Sequence, residues 1–407
     1  MNSATDFFSI PESEILPGVA GEYRIQLDTV VKEYDGRTCW TQARAAAIPR
    51  PGQSPALLIT MQRLLLTGSD IYLPVNEIIS NDFGQSWSAP REQAEILGRR
   101  PESEGVEVAV GDLCPKWHAA TGKVLAIGQT FRYCDEKHPV LEAPKQVAYT
   151  RFDPATWTWE PWATLDAPDG RLSYQTGAGC AQRIDLPDGD TLLPVYFKES
   201  GEKFSRVKVI RCRFDGRKLT WMAEGNALSL NSERGLQEPS LTRFQGKYYL
   251  TIRHEHSAYV SSSEDGLNFG PLKEWTRDTG GPLGSYNTQA HWVTRPDKLY
   301  LAYTRRGANN DHVFRNRAPL FLAEVDPESA VVKMASERIL IPERGARYGN
   351  FGICNVSADE TWVVETEWMQ RPPEEPIIPI DNRWGAAGRV YASRILWATP
   401  NAVWDQH

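Results

Sequence analysis

The stretch Ser80–Ala89 reads SNDFGQSWSA and carries the pattern of a tight, rigid turn. Asp82 can accept hydrogen bonds from the N–H groups of the turn, and Gly84 can take a positive φ at no steric cost. Trp87 supplies a large apolar side chain that packs between sheets. These are turn-forming roles rather than catalytic ones. We therefore interpret the stretch as structural and use it to predict the fold.

Two other stretches repeat this pattern more loosely. SEDGLNF, from Ser263, has Phe269 where the first stretch has Trp87, and FDPATWTW, from Phe152, is a weaker copy. A turn that recurs along one chain indicates that a larger structural unit is repeated.

Six longer segments share a second pattern, in which a polar residue precedes an apolar strand, a turn and another apolar strand. They begin at Gln42, Gly111, Gly177, Gln237, Asn287 and Gly349. Their starts are roughly 50–70 residues apart, a period typical of four-stranded propeller blades. Further apolar runs, such as VKVIRCRF from Val207 and APLFLAEV from Ala318, lie between them. No long segment has a helical period.

These patterns predict an all-β protein, a six-bladed β-propeller of four-stranded antiparallel sheets that forms a single domain over residues 1–407. The N-terminal strand EYRIQLDTVV, from Glu22, is placed to complete the last blade beside RVYASRILW, from Arg389. Such a closure removes the open edges that separate sheets would expose.

The composition limits the partners of the protein. With 407 residues, 41% of them hydrophobic, the chain can bury a sizeable core. Its net charge of −7 argues against nucleic acid or an anionic membrane as a partner. The six cysteines have no metal-ligand spacing, so we expect no metal and no other cofactor. No leader pattern or membrane span is recognised, which favours a cytoplasmic location.

Polar residues stand where the inner strands of the blades begin. Counting back eight positions from the hairpin turns gives Arg44, Glu238 and Gln289, and within one or two residues also Asp112 or Cys114, Gln182, and Asn350 or Phe351. Since inner strands line the central tunnel, these side chains are predicted to converge. Convergent polar groups in a concavity are the default binding-site hypothesis.

The turn pattern S-x-D-x-G-x-x-W resembles the Asp-box of sialidases, and the blade pattern extends this resemblance over most of the chain. Arg44, followed by Ile48 and Pro49, resembles the first arginine of the family's carboxylate-binding cluster, although three alanines intervene. QEPSLTRFQGKYYLTIR is similar to the family's catalytic Glu and second arginine, which implies roles for Glu238 and Arg253.

The resemblance implies further site residues. Asp70, shortly before the first Asp-box, corresponds to the acid/base, and Tyr348 lies near the place of the nucleophilic tyrosine, with Phe351 closer by turn alignment. Gln289 and His291 stand where a third arginine is expected. Arg347 is one substitute for it. The polar loop NNDHVFRNRAPLF, which is expected to reach over the tunnel, brings Asp311, His312, Arg315 and Arg317 as further candidate site residues, and Arg315 or Arg317 could supply the missing positive charge.

The leading interpretation is an exo-acting glycoside hydrolase that cleaves a terminal, carboxylated sugar. Arginine binds a carboxylate through two parallel hydrogen bonds, and a neutral tyrosine attacks an anionic sugar with less repulsion than a carboxylate would. One alternative is a polysaccharide lyase in which His118, His291 or Tyr348 removes a proton from a uronate while arginines neutralise its carboxylate. Another is a glycan-binding propeller without catalysis.

Overall fold

The computed structural model describes residues 9–68, 70–135, 138–140, 143–168, 175–370 and 382–402. Its strands form six antiparallel sheets, which are the six blades of a β-propeller. Within the described residues, no helix is long and apolar enough to cross a membrane. The one α-helix of these described segments is a single turn, α1 (Ala94–Leu97), and 3-10 turns lie at Phe314–Asn316, Met334–Ser336 and Asn382–Trp384.

The first half of the chain supplies two N-terminal strands and then blades 1 to 3. The N-terminal strands are β1 (Glu12–Val19) and β2 (Tyr23–Lys32). Blade 1 contains β3 (Thr38–Arg50), β4 (Gln53–Leu65), β5 (Tyr72–Ser80) and β6 (Arg91–Glu92). Blade 2 contains β7 (Arg100–Ser103), β8 (Val106–His118), β9 (Lys123–Tyr133), β10 (Val147–Asp153), β11 (Thr158–Trp159) and β12 (Ala163–Thr164). Blade 3 contains β13 (Gln175–Gly177), β14 (Ile184–Asp185), β15 (Asp190–Lys198), β16 (Arg206–Phe214), β17 (Leu219–Glu224) and β18 (Leu228–Ser229).

The second half supplies blades 4 to 6. Blade 4 contains β19 (Gln237–Phe244), β20 (Lys247–Arg253), β21 (Ala258–Ser263) and β22 (Lys273–Glu274). Blade 5 contains β23 (Thr276–Arg277), β24 (His291–Thr294), β25 (Leu299–Tyr303), β26 (Leu320–Asp326), β27 (Val331–Val332) and β28 (Arg338–Ile341). Blade 6 contains β29 (Gly352–Asn355), β30 (Glu360–Thr366) and β31 (Arg389–Trp397), followed by β2 and β1.

The predicted closure of the ring is confirmed. Strand β2 pairs with β31 from Tyr23 opposite Trp397 to Lys32 opposite Arg389. The N-terminal segment therefore completes the C-terminal blade, and β1 adds a further strand outside it. Pairing the two ends of the chain in one sheet ties the last blade to the first part of the sequence.

The turn that follows the third strand is stabilised in the same way in five blades. A carboxylate at the strand end accepts backbone N–H groups of the turn, and the residues concerned are Asp82, Asp153, Asp215, Asp265 and Asp326. In blade 1, Gly84 has a φ of 84° and donates its N–H to Ser80. The ring of Trp87 is fully buried and lies 6.2 Å from that of Trp362 in blade 6.

The hydrophobic cores lie between adjacent blades rather than on the tunnel axis. One core joins Trp40 and Ile59 of blade 1 to Trp362 and Val390 of blade 6. Since each sheet buries both faces against its neighbours, the apolar residues are used between the blades. The inner strands are then free to carry polar side chains at the axis.

Candidate active site

The inner strand of every blade has a residue with positive φ, which lies within β3, β8 and β19 and just ahead of β14, β24 and β29. The values range from 40° to 122° at Gln42, Asp112, Cys180, Glu238, Asn287 and Gly349. The register shifts at the same place in β3, β8 and β19, as expected for β-bulges. A bulge redirects a side chain, and sparsely populated backbone conformations cluster at binding sites. We call the end of the tunnel where these residues meet the hub.

The bulges refine the positions that turn counting assigned. Glu238 occupies a bulge position itself, whereas Arg44 and Gln289 lie two residues beyond theirs. Counting back from the hairpin turns predicts instead that all three side chains lie at the same height along the tunnel axis. Asp112 occupies the bulge position of β8, as Glu238 does in β19. These two carboxylates are therefore the equivalent hub residues of blades 2 and 4.

Glu238 and Arg253 form the ion pair that the sequence suggested. Arg253 Nη1 donates to Glu238 Oε1 at 2.6 Å, and Arg253 Nε donates to Asn287 Oδ1 at 2.9 Å. Glu238 Oε2 is buried and has no hydrogen-bond partner among the described residues. Burial opposes ionisation of Glu238, yet Arg253 and Arg317 hold its pKa below the ordinary value. Glu238 is therefore ionised and keeps one oxygen available for a substrate proton.

Three more guanidinium groups lie beside this pair, and with Arg253 they form what we call the arginine cluster: Arg253, Arg315, Arg317 and Arg347. Burial, and then the charges of Arg253 and Arg347, lowers the pKa of Arg317 well below its ordinary value. Burial also lowers the pKa of Arg347 to about 10, an effect that Asp70 opposes. Such mutual repulsion is relieved when an anion binds.

Two members of the cluster have no carboxylate partner within the described ranges. Arg317 Nη2 donates to the Asn287 carbonyl, and its Nε has no partner. Arg347 Nη2 donates to Gln370 Oε1 at 3.2 Å, and its guanidinium lies 3.8 Å from the centre of the Trp368 ring. Arg315 has a distant carboxylate partner, since its Nη2 lies 3.9 Å from Glu255 Oε1. The cluster therefore presents unneutralised positive charge at the hub.

Asp70 lies at the exposed rim of the hub. Its Oδ1 accepts the Tyr72 hydroxyl at 2.9 Å, and its carbonyl accepts the Tyr133 hydroxyl at 2.8 Å. Both Arg347 and Lys145 interact electrostatically with its carboxylate. Asp70 thus stands between two cations, held by two tyrosines, in a place that solvent and a leaving group can reach.

Arg44 lies deeper than the arginine cluster. Its Nη2 is 2.9 Å from Cys180 Sγ and 3.5 Å from Asp112 Oδ1, and Nη1 donates to the Leu113 carbonyl at 3.5 Å. Only 2% of its surface is exposed. Arg44 therefore supports Asp112, whose pKa is raised by burial in spite of this cation.

A pair of residues that the sequence did not suggest faces the same region. Lys145, just before β10, donates from Nζ to the Tyr196 hydroxyl at 3.2 Å. That hydroxyl donates to Gln129 Oε1 at 2.6 Å, and Gln129 Nε2 donates to Asp112 Oδ2 at 2.9 Å. Burial raises the pKa of Tyr196, while Lys145 opposes this. The hub thus contains a tyrosine whose ionised form a lysine would stabilise.

Two glycines make this arrangement possible, and they were the available sequence signal. A Cβ at Gly177 would overlap Gln129 Oε1 and the Tyr196 ring. A Cβ at Gly179 would lie 2.6 Å from Asp112 Cβ and 2.7 Å from Gln129 Cδ. The sequence Gly-Ala-Gly in blade 3 therefore lets the three polar side chains meet. The inner strand of this blade is interrupted between β13 and β14.

Tyr348 is not placed to be a nucleophile. Its side chain is 1% exposed, belongs to the core between blades 5 and 6, and packs on Tyr391 with 6.4 Å between ring centres. The hydroxyl donates to the Pro342 carbonyl at 2.7 Å. Phe351, the alternative from turn alignment, is also fully buried. A one-residue difference in register decides which side chain of a strand faces the tunnel.

The histidines do not form a catalytic set either. His118 lies at the far end of β8, with Nδ1 2.9 Å from Thr121 Oγ1 and Nε2 3.0 Å from the Gly189 carbonyl. His291 is buried, with Nδ1 2.6 Å from Ser240 Oγ, and burial followed by Arg44 lowers its pKa to about 3. Neither joins Tyr348, so the three-residue lyase set is not brought together.

The remaining predicted residues lie beside the hub or beneath it. Gln289 is fully buried and donates to the Phe351 carbonyl at 3.3 Å. Asp311 is exposed and accepts Asn316 Nδ2 at 3.1 Å. His312 is stacked on Trp384 at 4.1 Å with Nε2 3.0 Å from Glu343. Asp311 and His312 thus lie outside the arginine cluster, whereas Arg315 and Arg317 of the same loop belong to it.

No metal centre competes with this site in the described part of the chain, where no group of three or more His, Cys, Asp or Glu side chains is placed to hold an ion. The hub offers a buried carboxylate, Glu238, an exposed carboxylate, Asp70, the Lys145–Tyr196 pair and the arginine cluster. Such a set can bind an anion and move protons beside it.

The ring of six sheets with a polar hub defines a sialidase-like β-propeller. Among solved structures, the chain is similar to a Dyadobacter fermentans protein of unknown function, with a TM-score of 0.61, 12% identity and coverage of 93% of this chain and 100% of that one. It is also similar to Trypanosoma rangeli sialidase in complex with the inhibitor DANA, with a TM-score of 0.59, 13% identity and coverage of 95% of this chain. The match spans only 60% of the length of that sialidase.

A third similar structure is the leech intramolecular trans-sialidase, with a TM-score of 0.59, 10% identity and coverage of 89% of this chain and 69% of that one. Neither protein-family models nor curated proteins give a match to the sequence. At these identities the likeness establishes the fold alone.

Proposed function

We propose that the protein is an exo-acting glycoside hydrolase that cleaves a terminal, carboxylated sugar bound at the hub. The observation that carries the proposal is the convergence of Arg253, Arg317 and Arg347 next to Glu238, with two of these arginines lacking a carboxylate partner among the described residues. Guanidinium groups bind carboxylates in pairs of hydrogen bonds, so a sugar acid would fix its own orientation there.

The finer assignments follow from position. Asp70, exposed at the rim of the hub where a leaving group can reach it, suits the acid that protonates the leaving oxygen. Tyr196 replaces Tyr348 as the tyrosine that faces the sugar, because Lys145 can stabilise its phenolate. Glu238, within electrostatic reach of Tyr196, suits a base. The contacts of Asp82 and Asp265 support the assignment of their turns as Asp-boxes.

A second candidate is a polysaccharide lyase, favoured by the Lys145–Tyr196 pair itself. A phenolate beside an ammonium group can remove a proton next to a carboxylate that arginines have neutralised. This version of the lyase hypothesis uses Tyr196 instead of His118, His291 or Tyr348.

Product analysis distinguishes the candidates. We would incubate the protein with chromogenic sialosides, uronides and neutral glycosides, and in parallel follow the ultraviolet absorbance of unsaturated uronates on uronate polysaccharides. Release of chromophore from acidic but not neutral glycosides supports the hydrolase. A rise in absorbance supports the lyase. Saturable binding without either product contradicts both and indicates a glycan-binding propeller.

A further inference from the structure

A cavity of about 290 Å³ occupies the central tunnel on the other side of Arg44 from the arginine cluster. Inner-strand residues of all six blades line it, among them Ala46, Lys116, Arg183, Thr242, Trp292 and Ile353. It extends from Arg44 along β3 to the exposed Gln53, just past the hairpin turn, so it reaches the surface at the opposite face of the ring. Neither Glu238 nor Arg253, Arg317 or Arg347 lines it.

The charged residues that line the cavity are all basic, although the whole chain carries a net charge of −7. Four lining residues, Arg44, Arg50, Lys116 and Arg183, are basic, and none of the lining residues is acidic. Behind the wall, Asp185 lies 2.9 Å from Arg183 and 3.5 Å from Lys116.

Asp112 is 3.5 Å from Arg44. Asp112, Asp185 and Glu365, which also acts on Arg44, thus offset part of the charge of the four cations, and the lining remains positive. A positive potential inside low-dielectric walls attracts anions.

The remaining walls are apolar and broad. Two indoles, Trp117 and Trp292, and several small or aliphatic side chains line the cavity. At its inner end, His291 Nε2 and Arg44 Nε are buried, and no described residue forms a hydrogen bond with either atom. An apolar cavity of about 150 Å³ accommodates benzene, so this one has room for a ring with a charged substituent.

We propose that the tunnel is a second binding site, separate from the hub, for a small organic anion that carries a carboxylate on a flat, apolar body. The basic residues attract the carboxylate, and the indole-lined walls bury the body. The site does not depend on the function proposed for the hub.

Benzoate and benzamide test this proposal, because they share one shape and differ in charge. Binding to the intact protein would be measured by titration calorimetry and by the fluorescence of the lining tryptophans. Benzoate is expected to bind at least about tenfold more tightly than benzamide. Equal affinities, or no binding of benzoate, would overturn the proposal.

Two matched variants locate the bound anion. Lys116→Met is expected to weaken benzoate binding about tenfold, whereas Arg317→Met, at the hub, should leave it unchanged. The reverse pattern would place the anion at the arginine cluster and overturn the second site. If Lys116→Met does not fold, Ala47→Phe, which places a large ring at a half-buried position of the cavity wall, must abolish binding; unchanged binding in that variant also overturns the proposal.

Discussion

Glu238 and Arg253 are joined through one carboxylate oxygen: Oε1 accepts Arg253 Nη1 at 2.6 Å, while Oε2 is buried with no partner in the part of the chain that the structure describes. An unpaired oxygen of a buried carboxylate costs free energy unless a ligand uses it. The pair lies at a strained backbone position beside the arginine cluster. We therefore propose that Glu238 Oε2 contacts the substrate and does not serve to stabilise the fold.

Replacing Glu238 by Gln should lower kcat by about two to four orders of magnitude, because the amide cannot take a proton. The fold should remain, since Oε1 can still accept from Arg253. The measurement is turnover of the best acidic glycoside, with circular dichroism to check folding. Glu264→Gln, at an exposed side chain near Lys247, is the matched control and should behave as wild type. Near-normal turnover in Glu238→Gln would remove this role.

Arg317→Met should abolish tight binding of the acidic substrate and at the same time stabilise the protein by about 1–2 kcal/mol. The gain is expected because Arg317 is buried among like charges, so removing it relieves repulsion. Urea unfolding measures the stability, and KM or Kd measures the affinity. Arg243→Met, on the exposed face of β19, serves as control. A destabilised variant with unchanged affinity would show that Arg317 is structural.

Tyr196→Phe and Tyr348→Phe each remove one phenolic oxygen, and the proposed function predicts opposite effects of the two changes on activity. Tyr196→Phe should lower kcat by at least about a hundredfold, and it should also cost about 1–2 kcal/mol of stability because the hydroxyl loses its hydrogen bonds with Lys145 and Gln129. Tyr348→Phe should cost about 1 kcal/mol of stability, since the hydrogen bond to Pro342 is lost, and should keep its activity. Steady-state kinetics and thermal unfolding of both variants settle the assignment. An inactive Tyr348→Phe beside an active Tyr196→Phe would reverse it.

His291 should make stability depend on pH. Its pKa is lowered to about 3 in the folded protein and is about 6.5 in the unfolded chain, so the unfolded state binds the extra proton between these values. The stabilisation is complete above about pH 6.5 and is lost as the pH falls toward 3.

The measurement is urea unfolding from pH 7 to pH 4 for the wild type and His291→Gln. The wild type should lose up to about 1.4 kcal/mol more per pH unit than the variant. His256→Gln, at an exposed histidine, should keep the wild-type slope. Parallel profiles for the wild type and His291→Gln would contradict the lowered pKa.

The fold could be predicted because its signals are local. The turn residues Asp82 and Gly84 act within a few positions of each other, and the alternation of each hairpin is confined to about twenty residues. Glu238 and Arg253 were also accessible to sequence analysis, since they stand on the two strands of one hairpin and Gln237 lies opposite Arg253.

The rest of the site depends on contacts that no local pattern encodes. Lys145 meets Tyr196 across 51 positions of the chain, from one blade to the next. Tyr348 stands before the last hairpin as the resemblance predicts, but its side chain lies in the core between blades 5 and 6, and no local pattern marks that direction. The bulges at Asp112 and Glu238 likewise shift the level of hub residues without a marker residue in the sequence.

The most direct test of the account is calorimetric binding of a carboxylated sugar, such as sialic acid or glucuronic acid, beside its uncharged methyl ester. The arginine cluster predicts that the acid binds wild type at least about tenfold more tightly than the ester, and that Arg317→Met removes this preference. Equal affinity for acid and ester, or an unchanged preference in Arg317→Met, would contradict a carboxylate site at the hub.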